Sequence, residues 1–153
     1  MKRIFKREII LWLPIFIVAV FWAFRNLPNV YFQQDEWHFF GWMLFAKEEG
    51  LGNIILQSLK VPRVLASLTF QGLFTLFATN ERLYNYFSLV FHGLNSFLVF
   101  YRTYRLTKKR LVATLSGLFF AFNSVHIQSI LWIGASVGSL FSTLFSLLSI
   151  IVF

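Results

Sequence analysis

The sequence predicts an all-α protein: a polytopic transmembrane helical bundle of about four spans, with amphipathic interfacial helices in its first outer loop. Three observations predict it. The chain is 58% hydrophobic and only 13% charged, with 21 phenylalanines in 153 residues. A soluble domain of that size has no interior for so much apolar surface, whereas lipid can take the place of a core. Apolar runs recur at residues 9–27, 83–101, 111–122 and 134–153. The basic residues gather beside those runs in two short clusters, Lys2, Arg3, Lys6 and Arg7, then Arg102, Arg105, Lys108, Lys109 and Arg110. Basic loops are held on the cytoplasmic side, so the net charge of +8 reads as an orientation signal and not as a nucleic-acid footprint. The expected location is an integral, multi-pass place in a bacterial inner membrane, with the N-terminus cytoplasmic. The absence of cysteine excludes disulfides and thiolate metal sites. The first apolar run is too long for a signal core and no small-residue cleavage site comes after it.

The elements run in order along the chain. The first span, 9–27, is about long enough to cross the hydrocarbon. Pro14 stands one turn in, which a membrane helix tolerates. Trp12 and Trp22 lie near its two ends as interface anchors. Asn26, Pro28 and Asn29 mark a turn. A short surface helix runs from Asp35 to Ala46, stopped by Gly50 and Gly52. Beyond Pro62, the residues Arg63, Ser67, Gln71, Thr75 and Thr79 recur every four positions. That is a polar stripe on an otherwise apolar helix, read as an interfacial helix in preference to a short span. The outer loop then covers 28–82. The span at 83–101 carries Asn85, Ser88, His92 and Asn95 near one face, and such polar groups turn toward other helices. His92 reads as structural. In the last run, Gly134 and Gly138 with Ser139, Ser142, Ser146 and Ser149 form a small-residue seam. The whole reads as one transmembrane domain over 1–153 that stops inside an apolar run, the front piece of a longer protein.

Within this apolar chain, Gln33-Gln34-Asp35-Glu36-Trp37-His38 puts two carboxylates and a histidine just past the first span. One reading is a helix start, with Asp35 as cap and Glu36 at the positive end of the macrodipole. The other is a catalytic loop. The two are compatible, since a cap residue can also do chemistry.

The order of features resembles the start of the GT-C glycosyltransferases, multispanning enzymes related to the protein O-mannosyltransferases and their bacterial relatives. The words that carry the resemblance are the acidic pair at Asp35 and Glu36, the segment Tyr86-Phe87-Ser88-Leu89-Val90-Phe91-His92-Gly93-Leu94-Asn95, and the segment from Leu118 to Trp132. It spans nearly the whole chain, but only about the first third of a typical family member. Asn123 and Ser124 stand where the family tends to have His-Pro, Gln128 where it has an acid, and Ser136 and Gly138 where many members have Arg and Asp. The Pro62-Arg63 pair is also reversed. These departures weaken donor-phosphate binding in the second outer loop.

The resemblance implies transfer of a sugar from a polyprenyl-phosphate donor to an acceptor, by a single inverting displacement. Asp35 would be the base, and Glu36 its neighbour or metal partner. A divalent cation at Asp35 is implied by some relatives. Arg63 and Arg82 would pair with the lipid phosphate, and His38 and His126 would add hydrogen bonds. The implied partners are the polyprenyl-phosphate-linked sugar, the lipid bilayer and helices from a missing C-terminal part, with no nucleic acid. Against this stands a second class, a small non-catalytic scaffold or partner-binding protein. A transporter is a third, for which the spans lack buried charge.

Overall fold

The computed structural model describes residues 7–32, 34–50, 52, 64–123, 130 and 132–152. These form α1 (Arg7–Ile10), α2 (Leu13–Ala23), a 3-10 turn (Leu27–Asn29), α3 (Gln34–Glu49), α4 (Val64–Phe77), α5 (Glu81–Thr107), α6 (Arg110–Phe122) and α7 (Ile133–Val152). The all-α expectation is met.

The membrane-spanning part of that expectation is overturned. Among the described residues no helix is long and apolar enough to cross a membrane. The multi-pass inner-membrane location falls with it, and so does the reading of the four apolar runs as crossings. The physical reasons differ from run to run. Residues 9–27 are not one helix, because Pro14 has no N–H to give the carbonyl of Ile10 and the ladder breaks at Leu11 and Trp12. Past that break α2 has only 11 residues, about 16 Å of helix against a hydrocarbon core of about 30 Å. At 13 residues, α6 is little longer. The 27-residue α5 has the length, but its buried face carries Asn85, Ser88, His92, Asn95 and Ser96.

Everything is arranged around α5, which packs against α2, α6, α7 and the 3-10 turn. Its polar face holds the bundle in register. The Asn85 side-chain amide donates to the carbonyls of Leu27 at 3.1 Å and Val30 at 3.0 Å, pinning the turn just after α2. The Ser88 and Ser136 hydroxyls meet at 3.2 Å, tying α5 to the first turn of α7. His92 Nε2 lies 3.1 Å from the carbonyl of Ala121. A carbonyl only accepts, so that nitrogen carries the proton. The ring stacks on Phe120 and meets the edge of Phe24, as a structural histidine does. Asn95 donates to the carbonyl of Leu140 at 3.0 Å, while its Oδ1 has no partner among the described residues.

Two glycines let helices approach along this axis. A Cβ on Gly117 of α6 would stand 2.6 Å from the ring of Phe16, and one on Gly93 of α5 would stand 3.0 Å from the Cα of Ile17. The chain reverses between α4 and α5 through Ala78 and between α5 and α6 through Lys108, both left-handed with φ of 49° and 58°. Three apolar clusters fill the spaces. Phe16, Phe100, Ala113 and Ile151 pack near the α5–α6 corner. Val20, Leu89, Ala121 and Ile130 pack in the middle. Phe40, Phe70, Tyr84 and Ile133 pack where α3, α4, α5 and α7 meet.

Candidate functional site

The acidic stretch lies in the first turn of α3. That helix begins at Gln34 and ends at Gly50, whose φ of 95° is a stop that other residues rarely adopt. Glu36 is 1% exposed. Its Oε1 accepts the backbone N–H of Ile133 at 2.5 Å. Ile133 is the first residue of α7, and the first amides of a helix have no partner within it. The carboxylate therefore satisfies an orphan donor and sits on the positive end of a helix dipole. Neighbouring rings seal the joint: Phe40 packs on Phe70 at 5.5 Å and on Tyr84 at 5.8 Å.

The sequence singled out six residues, and the side chains of three of them, Glu36, His38 and Arg82, are described. Glu36 is buried in the α3–α7 joint. His38, two positions on in the same helix, is exposed. Arg82 is exposed in the first turn of α5, on the rim of an open hollow lined by Phe77, Thr79, Asn80 and Glu81. Asp35 lies in α3 but its side chain falls outside the described set, and Arg63 and His126 lie outside the described residues. Among the described residues no three His, Asp or Glu side chains come together to hold a metal ion. One Glu36 oxygen is already engaged, so no step through a divalent cation is derived.

Sequence reasoning missed other functional-looking contacts. Ser136, read only as a lost charged residue, is a buried partner of Ser88 and also donates to the Ile133 carbonyl. The Tyr84 hydroxyl donates to the carbonyl of Ala78 at 2.9 Å, across the α4–α5 reversal, and burial pushes its phenol well above its ordinary value. Arg105 donates to the carbonyl of Ile151 at 2.5 Å, closing the C-terminal end of α7. Each joins residues far apart in the chain, and no local pattern announces them.

Fold and site together define a class: an all-α bundle organised on one long helix with a polar buried face, its acidic stretch built into a helix joint. No protein-family model, curated protein or solved structure matches the chain. The glycosyltransferase resemblance thus gains no support from these comparisons.

Proposed function

We propose that this chain is a non-catalytic helical scaffold that takes partner helices on its outer apolar faces. One observation carries this reading. On α2, Phe16 and Val20 are fully buried toward the core. On the opposite side Ile15, Val18 and Trp22, with Leu11 just before the helix, are 51%, 66%, 68% and 67% exposed. Their spacing of four, three and four residues is that of a seam into which a second helix sets its knobs. Apolar residues on both faces of a short helix call for a second covering layer. The use of Glu36 as a helix-joining group supports the same reading. The test is a photo-crosslinking residue at Val18 in the natural cell, with Phe16 as the buried control. A single discrete adduct at Val18, lost on Ile15→Asp, supports the scaffold. No adduct at Val18 or Trp22 overturns it.

A second reading, transfer of a sugar from a polyprenyl-phosphate-linked donor, is favoured by one feature. Glu36 anchors the first turn of α3, and Asp35 is its neighbour in that turn. α3 starts at Gln34, so Asp35 stands inside its first turn and not at the cap the sequence suggested. Asp35→Asn keeps the size but removes a general base, a loss on the order of a hundredfold to ten-thousandfold in rate. Transfer is measured in extracts of cells carrying the substitution in the natural gene. Unchanged transfer removes this reading.

A further inference from the structure

We propose that the corner between α5 and α6 docks peripherally on an anionic phospholipid surface. Arg102 and Arg105 in the last turns of α5, Lys108 and Lys109 in the reversal, and Arg110 at the start of α6 converge there. Lys108, Lys109 and Arg110 are exposed, and Arg105 is too. Glu8 is the only acid that the described contacts bring to this corner. It stands 3.6 Å from Arg110 with both side chains largely in solvent, and neutralises little. Glu36 sits at the start of α7 and Glu81 at the start of α5, both opposite to the ends that form the corner. The bundle is therefore basic at one end.

The apolar side chains set among these cations select the partner. Leu106 and Leu111 are 66% and 73% exposed, one on each side of the lysines. The Glu8–Arg110 contact brings Ile10, also exposed, to the same end. Nucleic acid would pair with the cations and leave three aliphatic side chains in water. A free phosphate would want a buried donor, and the donors here are exposed. A headgroup layer uses both kinds of side chain. Its phosphates pair with Lys and Arg, and the aliphatic tips enter the acyl boundary, where no helix need cross. The left-handed Lys108 holds the two lysines at the turn between the helices, and Arg105, tied to the α7 carboxyl end, keeps the α5 end in place.

The experiment is flotation of the purified chain with vesicles of phosphatidylcholine alone and of phosphatidylcholine with phosphatidylglycerol. Binding should be about tenfold or more tighter to the anionic vesicles and should weaken as salt rises. Lys108→Gln with Lys109→Gln should remove most of that preference at unchanged helicity and melting temperature. Leu106→Ser with Leu111→Ser should weaken binding to both vesicles. Equal binding to neutral and anionic vesicles overturns the proposal, as does a preference unmoved by the lysine changes. Full displacement from vesicles by equimolar soluble polyphosphate also overturns it, in favour of a general polyanion site.

Discussion

The Glu36 carboxylate closes the N-terminus of the helix that begins at Ile133, a residue 97 positions later in the chain. The contact is charge-assisted, buried and set on a helix dipole, three conditions that raise its worth above that of an ordinary hydrogen bond. It is also the main polar tie between α3 and the rest of the bundle that the described contacts show.

Removing it is the sharpest test of the fold. Glu36→Ala leaves the Ile133 amide buried without that acceptor and should cost about 1.5–3 kcal/mol. Glu36→Gln keeps an acceptor and loses only the charge, so it should cost about half as much. Urea denaturation of both variants checks the order. Equal, small losses would mean that the joint carries no weight.

The glycines separate close approach from open space. Gly117→Ala drives a methyl group into Phe16 and should cost about 1–3 kcal/mol. Gly93→Ala meets the backbone of Ile17 and should behave alike. Gly72, inside α4, has nothing within 4 Å of its would-be Cβ. Gly72→Ala should therefore stabilise by about 0.5–1 kcal/mol, the ordinary gain of alanine over glycine in a helix. Thermal melts of the three variants should show two losses and one gain.

Tyr84 makes the α4–α5 reversal sensitive to alkali. Its ordinary phenol value is 10.0, and burial raises it in the folded protein. The unfolded phenol thus ionises first as pH rises. The stabilisation is fully present below pH 10.0 and is lost progressively above it. Melting temperature should fall more steeply above that pH in the natural protein than in Tyr84→Phe. At neutral pH the same variant should be weaker by about 1 kcal/mol, from the lost bond to Ala78. Parallel alkaline slopes would place the ionising group elsewhere.

The two left-handed reversals predict gains. Ala78→Gly and Lys108→Gly each relieve a side chain held at positive φ. Each should stabilise by about 0.5 kcal/mol after the entropy of glycine is counted. A loss at Ala78 would show that its methyl group packs more than its backbone strains.

Residues close in the chain could be read from the sequence alone. The spacing of Asn85, Ser88, His92 and Asn95 put them on one face, because a helix repeats every 3.6 residues wherever it stands. The four-residue recurrence of Ser67, Gln71 and Thr75 placed α4 in the same way, while α3, α6 and α7 follow from apolar runs and the residues that stop them. Hydropathy summed over residues 9–27 did not register that one missing amide, at Pro14, divides the run. It therefore took two short helices for one span.

Only the tertiary structure decided who meets whom across the chain. Locally, Asp35 and Glu36 look alike, as two acids in the first turn of a helix. The approach of α7 makes Glu36 a buried cap for Ile133, and no spacing rule reaches over that loop. The same holds for Arg105 on the carbonyl of Ile151 and for Tyr84 on that of Ala78. Composition determined that the chain is apolar, and the length and spacing of its runs that it is helical. The meeting of helix ends determined which of its few charges are structural, because a buried charge is held only where a partner waits for it.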